Sequence, residues 1–161
     1  MRNEDFERLY EEHAQALFGF LAYRTGDKAL AEDLLADTFE KAMRARRRFD
    51  PRKGSTKTWL YSIALNTLRD QVRRRAAAER AGEQLAEGAA EEGSDSADAV
   101  ALRDELARAL ATLTDEEREV VALRYGADLT VPEIARLKKE KLTTIEGRVY
   151  RALRKLRERL E

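Results

Sequence analysis

Residues 130–160, TVPEIARLKKEKLTTIEGRVYRALRKLRERL, contain a short amphipathic segment, a break and a longer basic segment. Thr130 with Glu133 three positions later forms a capping box, and Pro132 suits a first helical turn. Val131, Ile134, Ala135 and Leu137 then make one apolar face. Lys138 to Leu142 interrupts the pattern. Thr143-Thr144-Ile145-Glu146 reads as a second capping box, after which Ile145, Val149, Ala152, Leu153, Leu156 and Leu160 recur at three- and four-residue steps. A short helix, a tight turn and a longer basic helix are the elements of a helix-turn-helix.

On a helical wheel the last helix turns Gly147, Arg151, Arg154 and Glu158 away from its apolar stripe, with Thr144, Arg148 and Lys155 on the flank. Arginine offers two parallel donors to a guanine edge, and basic residues further along a helix suit phosphates. An ordinary amphipathic helix in a bundle has the same periodicity. The short preceding helix favours DNA.

The same reading extends upstream. Leu102, Leu106, Ala109, Leu110 and Leu113 share a face, and Thr114-Asp115-Glu116-Glu117 is a capping box for a helix carrying Val120, Val121 and Leu123. Residues 79–99 differ: three glycines, two serines and seven acids against one arginine, with no aromatic or β-branched residue. Such a segment buries too little apolar surface to offset its ordering entropy, so it reads as a flexible acidic linker. Before it, Phe6, Leu9, Tyr10, His13, Leu17, Phe20 and Leu21 mark a first helix. Asp27 caps a second, with Leu30, Ala31, Leu34, Leu35, Thr38 and Ala42 inward. Asp50-Pro51-Arg52-Lys53-Gly54 has turn chemistry, and Ser55 or Thr56 caps a third helix reaching about Arg75.

The expected architecture is therefore all-α, with two small helical domains, residues 1–78 and 100–161, joined by the linker at 79–99. Its 161 residues contain no cysteine and 31 basic against 31 acidic side chains. That balance hides an alternation. Residues 1–40 carry 4 basic and 10 acidic groups, 41–75 carry 12 and 2, 76–119 carry 4 and 13, and 120–161 carry 11 and 6. Two basic blocks separated by an acidic one suggest two sites for a polyanion. The third helix has Leu60, Ile63, Ala64, Thr67 and Gln71 on one side and Ser62, Asn66, Arg69 and Arg73 on the other. Trp59, near Asn66 and Asp70 in angle, suits either the core or a stacking platform for an unpaired base. Asp33, Asp37 and Glu40 form an acidic stripe beside Leu34, Thr38 and Phe39, either a solvated face or a docking surface.

No P-loop, HExxH or cysteine nucleophile is present, and His13 is the single histidine. No enzyme activity, cofactor or metal is expected. Without a signal h-region or an apolar stretch long enough for a bilayer, the expected location is the cytoplasm, with no membrane insertion.

The segments YEEHAQALFGFLAYRTGDKALAEDLLADTFEKAMR and FDPRKGSTKTWLYSIALNTLRDQVRRR resemble region two of bacterial RNA polymerase sigma factors, and LATLTDEEREVVALRYGADLTVPEIARL with TIEGRVYRALRKLRERL resembles region four. The small extracytoplasmic-function (ECF) group of the sigma-70 family is the nearest match. The resemblance implies a factor that directs bacterial core RNA polymerase to promoter DNA and assists melting, usually restrained by an anti-sigma factor. It implies that Asp33, Leu34, Asp37 and Phe39 dock on the polymerase. Phe49, Ser55, Lys57, Trp59, Asn66, Arg69, Asp70 and Arg73 would engage the minus-ten element, the loop from Phe49 to Lys57 receiving a flipped base. Thr144, Glu146, Arg148, Arg151, Arg154 and Lys155 would meet the minus-thirty-five element. The alternatives are a stand-alone helix-turn-helix regulator and a sigma-like interaction module without DNA binding. The chain departs from the family in carrying Lys139 and Thr143 where glycine is common, which predicts left-handed strain in the turn.

Overall fold

Gly26 ends the first helix and Asp27 begins the second, so two adjacent residues set the first corner. In the computed structural model, which describes residues 1–82 and 96–160, α1 spans Asn3–Thr25 and α2 spans Lys28–Ala45. Gly26 takes a left-handed conformation (φ 67°) and donates its N–H to the Ala22 carbonyl at 2.8 Å. The Asp27 carboxylate accepts from Leu30 N–H at 3.1 Å. A short 3-10 turn, Arg46–Arg48, leads to a loop in which Lys53 N–H bonds the Asp50 carbonyl at 3.0 Å. Ser55 then caps α3, Thr56–Arg80, by accepting from Thr58 N–H at 3.1 Å.

α2 packs against both α1 and α3, and α1 also touches α3. Leu17, Leu21, Leu34, Leu60, Leu65 and Tyr61 are fully buried between them, each apolar side chain contributing roughly 1.5–3 kcal/mol. Phe20 meets Tyr61 edge-on at 5.8 Å. Thr38 and Thr67 enter this core because their hydroxyls return to the Leu34 and Ile63 carbonyls at 2.7 and 2.9 Å. α3 runs five residues past the predicted end near Arg75. Ala76, Ala77 and Ala78 favour helix, and Arg75 pairs with Glu79 one turn on at 3.5 Å. Glu79 and Arg80 of the predicted linker thus belong to α3, and its last three residues begin the next helix. Residues 83–95 of that linker lie outside the described residues.

The second unit contains α4 (Ala97–Ala111), α5 (Asp115–Val121), a π turn (Ala122–Gly126), α6 (Val131–Lys138) and α7 (Leu142–Leu160). The chain divides into two compact units at Met1–Ala90 and Glu91–Glu161. α7 is the common partner of α4, α5 and α6. Val120, Leu123, Leu129, Ile134, Ile145 and Ala152 are fully buried, and the Thr114/Glu117 and Thr130/Glu133 capping boxes both form.

Two expectations fail here. The apolar face predicted for α4 is only partly covered: Ala109 is buried, whereas Leu102 and Leu106 are 67% and 44% exposed. α7 also begins before Thr143. Lys141 supplies the carbonyl that receives Thr144 and Ile145 N–H groups at 3.1 and 3.2 Å. The helix phase is set by burying Ile145 and Ala152, which leaves Thr143 exposed inside the first turn and not at the cap. The predicted strain is confined to Lys139, in the left-handed region at φ 56° and ψ 43°. Thr143 has no positive φ. No described helix is long and apolar enough to cross a membrane.

Candidate nucleic-acid interface

In the first unit the basic block divides between a loop and a helix face. Asp50 organises the loop. Its carboxylate accepts from the Arg52 side chain at 3.1 Å and from Arg52 N–H at 3.0 Å. These bonds hold its carboxyl below the usual range. Phe49 meets Trp59 edge-on at 5.4 Å, so Trp59 is half-buried against the loop and Tyr61, not Trp59, fills the core. The Ser55 hydroxyl serves the cap, and Lys57 lies half-buried two residues later. A cavity of about 230 Å³ opens beside this loop, lined by Met1, Asp5, Arg8, Leu9, Glu12, Phe49 and Thr56. The α1 residues in that wall are not marked in the sequence as part of a site. They share a helix face, but only tertiary packing brings that face to the loop.

Along α3, Asn66, Arg69, Asp70 and Arg73 are all exposed and follow one another at helical steps. Asp70 pairs with Arg73 at 3.8 Å, so one of the cations on this face is partly answered. On α2, Asp33 is exposed and Asp37 half-buried. Leu34 and Phe39, grouped with them as docking residues, turn inward at 2% and 7% exposure. Phe39 packs edge-on against Tyr10 at 4.8 Å and Phe6 at 6.2 Å. Their expected surface role is corrected: both are buried, Phe39 against α1, and of the four only the acids reach solvent.

In the second unit α7 divides by the direction of its cations. Arg151 and Arg154 are exposed, as is Glu146, and Thr144 is half-buried. The Arg151 guanidinium lies over Gly147, where an added Cβ would approach its Nη1 to 3.2 Å. Tyr150, 67% exposed beside Arg151, joins this face unannounced; on the wheel it sits next to Gly147, where nothing in the sequence marks it. Arg148 and Lys155, also expected to meet DNA, face carboxylates of their own unit. Arg148 pairs with Glu116 of α5 at 2.9 Å and with Glu140 of the turn at 2.7 Å. Glu140 and then Glu116 raise its pKa against the opposing effect of burial. Lys155 donates to Glu117 at 2.6 Å. Burial pushes the Glu117 carboxyl up, but the bonds from Lys155 and from Thr114 N–H outweigh it and hold the pKa low. Both cations turn towards the fold because a carboxylate waits at each position.

Two small helical units, each presenting arginines on an open helix face, agree with what related sequences show. The sigma-70 region 2 family matches residues 9–78 and sigma-70 region 4 matches residues 103–156. RNA polymerase sigma factor CarQ of Myxococcus xanthus is 36% identical over 159 residues, covering 96% of this chain and 88% of CarQ. The chain belongs to the ECF sigma factors. The ECF sigma factor BldN of Streptomyces coelicolor is 31% identical over 154 residues; 94% of this sigma factor is covered, but only 58% of BldN. The chain thus spans little more than half of that relative. Among solved structures, the sigma factor RpoE from Bartonella quintana, in complex with the anti-sigma factor NepR, superimposes with a TM-score of 0.77. The two are 26% identical, and coverage is 98% of this chain and 97% of RpoE.

Proposed function

We propose that this sigma factor directs core RNA polymerase to its promoters and helps open the DNA, without covalent chemistry of its own. One observation carries the reading: regions two and four occur in order on one chain, each with an exposed arginine-bearing helix face. Residues 1–78 form the unit that docks on the polymerase through Asp33 and Asp37 and engages the minus-ten element. Asn66, Arg69 and Arg73 meet the strand, and the cavity beside Phe49 receives an unstacked base. Binding of unpaired bases then offsets the lost pairing and stacking. Residues 100–161 read the minus-thirty-five element with Thr144, Glu146, Arg151 and Arg154, and residues 79–99 link the two. The factor works in the cytoplasm, where an anti-sigma protein restrains it, as NepR accompanies the related RpoE.

Run-off transcription with purified bacterial core polymerase tests this. The full chain produces discrete promoter-dependent transcripts, and core alone does not. A chain that fails to associate with core overturns the reading.

A further inference from the structure

The helix that carries Arg151 and Arg154 is held by an ionic frame made of its own unit's acids. Arg148 stands at the centre. Its Nη2 faces Glu116 Oε2 at 2.9 Å and its Nη1 faces Glu140 Oε2 at 2.7 Å, with the side chain only 18% exposed. Glu116 belongs to the first turn of α5, and Glu140 follows directly on Lys139, the left-handed residue of the turn. Glu140 is also fixed through its backbone, whose N–H donates to the Ala135 carbonyl at 2.9 Å. The residue after the strained position is therefore pinned at both main chain and side chain. Two further ties run parallel: Lys138 at the end of α6 pairs with Glu119 of α5, both side chains nearly buried, and Lys155 pairs with Glu117.

Reading guanine takes two guanidinium donors aimed at one base edge. Both terminal nitrogens of Arg148 already face carboxylates, and the two acids more than cancel its charge where DNA phosphates would approach. We propose that Arg148, with Glu140 and Glu116, is a positioning residue: it locks the turn and α5 to α7 and so sets the angle at which Arg151 and Arg154 meet DNA. This rests on α7 being the recognition helix. Loosening the lock lets the helix shift against the groove, so every base contact weakens together.

Two electrostatic expectations oppose each other, which makes the inference testable. If Arg148 contacted DNA, neutralising Glu116 and Glu140 would free its charge and tighten binding. If it positions α7, the same change weakens selection. Holoenzyme reconstituted from core polymerase and the full chain is used to select from a duplex library randomised over about 10 base pairs, one turn of DNA, upstream of a constant segment. Selected pools are sequenced, and binding to the best site is titrated against salt.

Arg148→Gln and the double variant Glu116→Gln/Glu140→Gln each lower preference for the selected site over a scrambled one by about tenfold, with the loss spread over several positions. The triple variant is no worse than Arg148→Gln alone. Arg148→Lys recovers part of the selectivity. The salt slope of Arg148→Gln stays at the wild-type value, whereas removing one phosphate-neutralising cation lowers it by about 0.9. Glu140→Gln alone removes one partner while leaving α7 intact, so the result does not depend on the folding of Arg148→Gln. A loss confined to one base position, a slope lowered by that amount, or tighter binding by the double glutamine variant overturns the inference. A wild-type holoenzyme that transcribes but selects no upstream sequence overturns the recognition role of α7, and the inference with it.

Discussion

The Glu117 carboxylate joins two ends of the second unit: it accepts from Lys155 of α7 at 2.6 Å and closes the capping box at Thr114 N–H at 2.9 Å. It is 4% exposed, so these donors replace its water. Because its pKa is held low in the fold, the native state favours the ionised form. Its contribution is complete above the ordinary glutamate range and is lost as pH falls through the lowered value. Glu117→Gln should cost about 1.5–3 kcal/mol near neutral pH, the worth of a charge-assisted bond. The deficit relative to wild type should shrink on acidification. Thermal melts of both chains from neutral to acid pH check it, and a constant deficit across the series refutes the assignment.

Lys139 carries backbone strain that glycine would relieve. At φ 56° its Cβ crowds the adjoining peptide, a cost of roughly 1–2 kcal/mol. Lys139→Gly should raise stability by about 1 kcal/mol, after the greater freedom of unfolded glycine is deducted. Lys139→Ala, which keeps the Cβ, should gain nothing. Equal melting temperatures for the glycine variant and wild type would show the turn to be unstrained.

Tyr61 places a hydroxyl where the core offers it no hydrogen-bond partner among the described residues. The ring is fully buried and its phenol pKa is pushed up to about 12 by burial. Tyr61→Phe keeps the ring and its edge contact with Phe20 while removing the unpaired group. It should stabilise the first unit by about 1 kcal/mol, since a buried unsatisfied hydroxyl costs about 1–3 kcal/mol. Chemical denaturation of the two chains measures the difference, and a destabilised variant would reveal a partner for the hydroxyl.

Leu34 and Asp33 are neighbours on α2 with opposite expected effects. Leu34→Ala should cost about 2–5 kcal/mol of stability through the cavity it leaves. Asp33→Ala should leave stability within about 0.5 kcal/mol, the usual range for surface changes, while weakening association with core polymerase. Melting curves beside a pull-down on purified core distinguish them. An Asp33 variant that binds core normally would remove α2 from the docking surface.

Local signals made the helices legible. The Asp27, Thr114 and Thr130 caps form as expected, and of the two candidates for α3 it is Ser55 that caps, because each cap needs only residues within one turn. The site was legible by helix face but not by partner. The wheel puts Arg148 on the flank of the stripe and Arg151 and Arg154 opposite it, but it does not show what Arg148 meets there. Glu140 and Glu116 separate Arg148 from the others, and Glu116 comes from a helix 32 positions upstream. Phe39 reads as a candidate surface aromatic because its cover, Tyr10 and Phe6, lies on another helix. The start of α7 is hidden for a related reason: Thr143 and Glu146 have the right spacing for a box, but core burial of Ile145 fixes the phase first.

Asp70 and Arg73 give the last prediction, and it concerns sign. At 3.8 Å, with both side chains largely in solvent, the pair contributes little to stability. Its effect falls on the field that a DNA strand meets. Asp70 is the one acid among Asn66, Arg69 and Arg73 on that face. Arg73→Ala should weaken promoter binding by the holoenzyme and lower the salt slope by about 0.7–0.9, because one phosphate fewer is neutralised. Asp70→Asn should act oppositely at low salt, releasing Arg73 and strengthening binding, with the gain fading as salt screens the charges. Titrations of both variants at several salt concentrations decide it. If Asp70→Asn instead weakens binding at every salt concentration, Asp70 itself contacts the promoter, as an acceptor for a base amine.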